Sequence, residues 1–99
     1  MDDRYKYPEE KFSQARRDLM LPPREKEALA VSEACNECEL GLHDVSLDDL
    51  DNATRDHIAE LRKLIGRKQN LSAADKNHLC ELINHLAYYF HDRWTEVWS

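Results

Sequence analysis

Residues 72–97 read SAADKNHLCELINHLAYYFHDRWTEV, a segment in which apolar side chains recur every three or four positions. That spacing matches the turn of an α-helix and collects the apolar side chains on one face. Ser72 and Asp75 form a capping box at the start, in which each side chain accepts a hydrogen bond from the other residue's backbone N–H. A long helix is therefore predicted, and its core face comprises Leu79, Leu82, Ile83, Leu86, Phe90, Trp94 and Val97.

A second amphipathic helix is predicted before this one. Ser46 and Asp49 repeat the capping box, which sets the predicted start at Ser46. Val45 and Leu50 add a hydrophobic staple across the same start. Gly66 supplies the predicted end of the helix. Its expected core face comprises Leu47, Leu50, Thr54, Ile58, Leu61 and Ile65.

Two more helices are predicted in the N-terminal half of the chain. Pro8 suits the first turn of a helix, because the first turn leaves its N–H donors unused, and this helix must end before Pro22. The second helix is expected to run from the Pro22-Pro23 corner to about Leu40. Gly41 would then take the left-handed position that follows a helix. The apolar stripe of this helix comprises Ala28, Val31, Cys35, Cys38 and Leu42.

The order of the predicted helices indicates a bundle. Short connections favour antiparallel neighbours, and 99 residues provide room for one compact domain. We therefore predict an all-α fold, a small antiparallel helical bundle of about four helices with a short first helix and three long ones. A single domain is expected over residues 1–99, in which residues 1–7 form an extended or frayed N-terminal arm.

Charge and hydropathy exclude several classes of partner. The 14 Lys and Arg residues against 20 Asp and Glu give a net charge of -6, the wrong sign for neutralising nucleic-acid phosphates. No segment approaches the roughly 18 apolar residues that cross a bilayer, and the N-terminus lacks the apolar segment of a signal peptide. We therefore expect a cytoplasmic protein that binds neither nucleic acid nor membrane and keeps its three cysteines reduced.

Cys35 and Cys38 form the most suggestive motif in the chain. Two thiolates one helical turn apart chelate zinc when further ligands complete the site. The candidate further ligands are His43, His57, Cys80 and His85. The motif resembles part of the His-x3-Cys-x2-Cys segment of zinc-binding anti-sigma domains, which are also small and helical. Val31 occupies the histidine position here, so the chain is not assigned to that family.

The expected helix pairing favours a structural role for these thiols. Pairing of the second and third helices would place Cys35 level with Ala53, over a turn away from His57. We therefore interpret Cys35 and Cys38 as small buried core side chains, a common role of reduced cysteines, and expect no metal or other cofactor. A zinc-dependent or redox-responsive regulatory domain that uses these two thiols is the alternative.

Polar residues of the last predicted helix do not form a recognisable catalytic site. His78, Glu81 and His85 share one flank, at a spacing that suits metal binding or acid–base catalysis. No carboxylate interrupts the predicted core stripes, so a solvated polar flank is the preferred interpretation. The sequence also lacks a Gly-rich phosphate loop, a nucleophile elbow and a His-Glu-x-x-His motif. We therefore predict no catalytic residues and a function other than catalysis.

Negative charge is concentrated in the middle third of the chain. Residues 32–60 contain nine acidic residues and the single base Arg55. Acidic residues at the end of the second helix oppose the helix dipole, which indicates a role other than helix stability. This candidate partner-binding set, the acidic corner, comprises Glu33, Glu37, Glu39, Asp44, Asp48 and Asp49. A basic protein partner is expected there, and a merely solubilising surface is the alternative.

Aromatic residues are concentrated near the two ends of the chain, which meet in an antiparallel bundle of four helices. Exposed aromatic side chains are common interface anchors. The second candidate partner-binding set, the aromatic end, comprises Tyr88, Trp94 and Trp98. Packing of Trp98 on Tyr5 or Tyr7, and a homodimer formed through this end, are the alternatives. The sequence predicts a non-catalytic protein-interaction module, a small acidic adaptor, inhibitor or regulator that binds a protein partner.

Overall fold

The computed structural model describes residues 3–20, 27–43 and 45–95, and all regular structure within these ranges is helical. The α-helices are α1 (Lys6–Met20), α2 (Glu27–Leu42), α3 (Asn52–Gly66) and α4 (Ala73–Thr95). Short 3-10 helices, Asp3–Tyr5 and Leu47–Asp49, precede α1 and α3. None of the described helices is both long enough and apolar enough to cross a membrane. The predicted all-α fold with four helices is confirmed.

Helix α1 is central, because it packs against both α2 and α4, whereas α3 packs against α4. Gly41, near the end of α2, lies against Phe12 of α1. Glu37, one turn earlier in α2, faces Asp18, which comes later in α1. Helices α1 and α2 therefore run in opposite directions.

The packing of α1 on α4 is also antiparallel. The ammonium group of Lys6, at the start of α1, lies 5.7 Å from the ring centroid of Trp94, near the end of α4. Leu19, near the end of α1, lines a depression together with Cys80, in the first half of α4. The antiparallel arrangement predicted for the bundle is thus confirmed for both neighbours of α1.

The core forms where the apolar stripes of the four helices meet. Its fully shielded side chains are Phe12, Ala15, Ala34, Cys35, Cys38, Leu61, Leu79, Ile83, Leu86 and Phe90. The ring centroid of Phe90 lies 5.2 Å from that of Phe12 and 6.0 Å from that of Tyr5, so these three aromatic rings form a cluster at this end of the bundle. On the predicted α4 stripe, Trp94 is half-buried and Val97 lies outside the described residues.

The start of α3 differs from the prediction. Helix α3 begins at Asn52, and its N-cap is Asp51, whose Oδ1 accepts a hydrogen bond from the Thr54 N–H at 2.8 Å. Ser46 instead precedes a 3-10 turn and makes no capping hydrogen bond through its side chain. The carboxylate of Asp49 is held by Arg4 at 3.2 Å, so it does not close the expected box.

The start of α4 agrees with the prediction. The Asp75 N–H donates to Ser72 Oγ at 3.1 Å, and the Ser72 N–H donates to Asp75 Oδ2 at 3.2 Å. These two bonds are the reciprocal pair that defines a capping box. The hydrogen bond from the Ser72 backbone lowers the pKa of the Asp75 carboxyl, because it stabilises the charged form.

The N-terminal residues are more ordered than predicted. Residues 3–5 form a 3-10 helix and α1 begins at Lys6, so the expected extended or frayed arm is wrong for the described residues of 1–7. Tyr5 is only 5% exposed, because its ring packs on Phe90. Helices α1 and α3 have 15 residues each, and α4, with 23 residues, is clearly longer than either.

Gly41 lies inside α2, whereas the prediction placed it just beyond the end of this helix in a left-handed conformation. No described glycine has a positive φ, and α2 continues to Leu42. A Cβ at Gly41 would lie 2.9 Å from the Cβ of Lys11 and 3.4 Å from the ring of Phe12. The glycine is therefore needed for the close approach of α1 and α2. The Pro22-Pro23 corner predicted between them lies outside the described residues.

Candidate interaction surfaces

Tyr88 is the most exposed large apolar side chain among those described, with 53% of its surface accessible. It lies on the outer side of α4, where α1 is its neighbour. The guanidinium carbon of Arg16 lies 5.0 Å from its ring centroid, and Arg16 Nη2 donates a hydrogen bond to the Tyr88 hydroxyl at 3.3 Å. These two contacts hold an exposed aromatic ring in one orientation. We call Arg16 and Tyr88, with the groove that they line, the Tyr88 face.

The groove of the Tyr88 face follows the contact between α1 and α4. A depression of about 400 Å³ lies toward the end of α1, and its lining includes Arg16, Leu19 and Ile83. A depression of about 230 Å³ lies toward the start of α1, and its lining includes Ser13, Arg16 and Tyr88. Arg16 lines both depressions, which are shallow and combine apolar side chains with charged ones, Glu81 in the first and Glu9 in the second. The surface suits short inserted side chains better than an enclosed small molecule.

The members of the predicted aromatic end do not share one face. Trp94 is half-buried against the core, with Lys6 over its ring, whereas Tyr88 points outward. Six residues separate them on α4, which corresponds to a rotation of about 120° around the helix axis. Trp98 lies outside the described residues. Of the described members, Tyr88 is the exposed one.

The described members of the acidic corner differ in their exposure and pairing. Glu33, Glu39 and Asp48 are exposed, whereas Glu37 is half-buried between α1 and α2. Asp49 is exposed but forms an ion pair with Arg4 at 3.2 Å. Asp44 lies outside the described residues. The acidic charge is thus spread over two elements, α2 and the 3-10 helix before α3.

Cys35 and Cys38 lie in the core, fully shielded from solvent. Burial raises the pKa of both thiols, and the charge of Glu39 acts in the same direction on each. The thiolate is the form that binds metal or attacks a disulfide, so this environment opposes both reactions. Among the described residues, which include all four members of the alternative metal set, Cys35, Cys38, His43 and His57, no group of three is placed to hold a metal ion.

Helix α2 meets the far end of α3 instead of its start. Lys68 Nζ donates to Asn36 Oδ1 at 3.0 Å. The charge of Lys68 also offsets part of the rise that burial causes in the pKa of the neighbouring Cys35 thiol. Lys68 follows Ala53 by 15 positions, which is about 20 Å along a helix. The expected level pairing of Cys35 with Ala53 is therefore wrong, because Cys35 lies near Lys68, beyond the opposite end of α3.

Three of the five histidines, His57, His78 and His85, lie along the contact between α3 and α4. The ring centroids of His57 and His85 are 4.3 Å apart, and His78 Nε2 lies 3.4 Å from Glu60 Oε2. His57 Nδ1 is shielded and has no hydrogen-bond partner. The sequence placed His85 on a solvated flank of α4 and His57 in a possible thiol site, and it did not indicate their contact. The two rings belong to different helices, so no spacing within either segment could show it.

Comparison with protein-family models, with curated proteins and with solved structures finds no match. The function is therefore inferred from the surfaces themselves.

Proposed function

We propose that this chain is a non-catalytic protein-interaction module that binds a protein partner through the Tyr88 face. The observation that supports this is the exposed Tyr88 ring, which the guanidinium of Arg16 contacts and which borders a shallow depression between α1 and α4. Tyrosine and arginine are enriched among the residues that contribute most to interface affinity. A small acidic adaptor, inhibitor or regulator fits this chemistry.

Preorganisation is the physical advantage of the Tyr88 face. An interface residue that is mobile before binding must lose side-chain entropy, which weakens association. The hydrogen bond and stacking contact with Arg16 have already restricted the Tyr88 ring. A partner that covers the ring therefore gains apolar burial with a smaller entropic cost.

A basic partner is part of the proposal. The chain carries a net charge of -6, and Glu33, Glu39 and Asp48 leave their carboxylates exposed. Such charges raise the rate of encounter with a basic protein, and the effect weakens as salt increases. We propose that the interaction takes place in the cytoplasm, where cysteines are usually reduced. Cys35 and Cys38 are free thiols, which fits that compartment.

The test is affinity capture from the source cells with the intact chain and two tyrosine variants. Tyr88→Ala removes the anchor, and Tyr7→Ala is the matched control, because Tyr7 is 43% exposed and also carries a cation, Lys11, over its ring at 5.5 Å. We expect a specific partner to be retained by Tyr7→Ala and to bind Tyr88→Ala about tenfold or more weakly.

Equal binding by the two variants would contradict a role for the Tyr88 face. If the captured protein is the same chain, light scattering of the wild-type protein and of Tyr88→Ala identifies a homodimer formed through this face. Binding that is unchanged by Glu39→Lys and Asp48→Lys would contradict a role for the acidic corner and would also contradict the proposal of a basic partner.

A further inference from the structure

Two carboxyl groups face each other across the contact between α1 and α2. Asp18 belongs to α1 and Glu37 to α2, and both are partly buried. Asp18 Oδ2 and Glu37 Oε2 are shielded from solvent, and neither has a hydrogen-bond partner when both groups are charged. Shielded carboxylate oxygens without a donor are costly, since they have lost water and gained nothing in return.

The charged neighbours do not neutralise the pair. The groups that act on Glu37 from α1 are Asp18 and Lys11, and from α2 itself Glu33 adds negative charge. Lys11 acts in the opposite direction and lowers the pKa of Glu37, but by less than burial and Asp18 raise it; its ammonium also lies 3.4 Å from Gln14 Oε1 and 5.5 Å from the ring centroid of Tyr7.

A single proton on Glu37 would supply the missing hydrogen-bond donor and remove the repulsion between the two carboxylates. Protonated Glu37 becomes a donor, so its O–H can bond to the Asp18 carboxylate, and the like-charge repulsion disappears. Burial, the hydrogen bond with Asp18 and the charge of Asp18 together raise the pKa of Glu37 from 4.5 to about 7. The proton therefore leaves within the range of ordinary cellular pH.

We propose that Asp18 and Glu37 form a proton-dependent latch that fastens α2 to α1, and that loss of the Glu37 proton loosens α2. The close contact at Gly41, one turn after Glu37, lies on this same side of α2, near the latch. Because the raised pKa belongs to the folded state, the latch contributes fully below about pH 4.5. Its contribution is lost as the pH rises through about 7.

The first test compares urea unfolding of the wild-type chain and Glu37→Gln between pH 5 and pH 7.5. Glutamine donates an N–H to Asp18 and does not titrate, so it fixes the latch in its closed form. Relative to Glu37→Gln, the wild-type unfolding constant should rise about tenfold or more over this range. The exposed Glu10→Gln, on α1, is the control, because Glu10 is not among the charges that act on Glu37, and it should follow the wild type. Parallel curves for the wild type and Glu37→Gln would overturn the latch.

Two further measurements complete the test, and the first of them needs no variant. The carboxyl carbon of Glu37, followed by NMR in the wild-type chain, should titrate near pH 7, and a midpoint near 4.5 would overturn the proposal. At pH 8, amide hydrogen exchange in α2 should be faster in the wild type than in Glu37→Gln, with a smaller difference in α4. Equal differences in both helices would show a change in global stability and would reject a local latch.

Discussion

Gly41 shows how one absent side chain sets the distance between two helices. The Cβ that alanine would add lies 2.9 Å from the Cβ of Lys11, an atom fixed to the backbone of α1. Helix propensity alone favours alanine over glycine by roughly 1 kcal/mol. Overpacking at a tight contact costs about 1–3 kcal/mol, so steric conflict should exceed the gain in propensity.

We therefore predict that Gly41→Ala lowers the free energy of unfolding by about 1 kcal/mol, measured by urea denaturation. Gly66→Ala is the control, because an added Cβ at Gly66, the last residue of α3, meets no heavy atom within 4 Å. That variant should be unchanged or stabilised by up to about 1 kcal/mol. A stabilised Gly41→Ala would mean that α1 and α2 separate easily.

A comparison of the starts of α3 and α4 shows why the sequence predicts the start of α4 correctly and that of α3 incorrectly. The same Ser-x-x-Asp pattern occurs at Ser72 and at Ser46, but a reciprocal box forms only at Ser72. Asp49 is bound by Arg4, which is 45 positions away in the sequence. A local pattern cannot report a competing ion pair that only the folded chain brings near.

The core stripes were more predictable than the surfaces. Periodicity alone identifies Leu79, Ile83 and Phe90 as buried, because a helix that folds against others must cover its apolar face. The same periodicity indicates that Tyr88 points away from the core, but not that Arg16 would hold it. The facing carboxyls of Asp18 and Glu37 were also not predicted, since their contact depends on the register between two helices.

The N-terminal segment makes a testable contribution to the bundle. Tyr5 and Tyr7 are two positions apart, yet Tyr5 is 5% exposed and Tyr7 43%. We predict that Tyr5→Ala lowers the free energy of unfolding by about 3 kcal/mol, because it empties a site beside Phe90. Tyr7→Ala should change it by less than about 0.5 kcal/mol in the same urea titration. Similar losses for the two variants would contradict the packing of the N-terminal segment.

At the scale of the whole molecule, the bundle separates its cysteines into two classes. Cys80 is exposed, whereas Cys35 and Cys38 are shielded from solvent. At pH 6, where the latch is closed, N-ethylmaleimide should modify Cys80 alone, and all three thiols should react in denaturant. Mass spectrometry of the peptides identifies the modified positions. Rapid modification of Cys35 in the folded chain, or a stoichiometric metal after purification without added zinc, would contradict a structural role for these thiols.

The central position of α1 has a consequence for how the chain forms during its synthesis. Phe12 of α1 completes its packing only against Phe90 of α4, which emerges from the ribosome much later. Until then, the nascent hairpin of α1 and α2 covers the Phe12 ring only on the side of Gly41. Arrival of α4 therefore completes the hydrophobic core around this ring and removes one exposed apolar surface that favours aggregation.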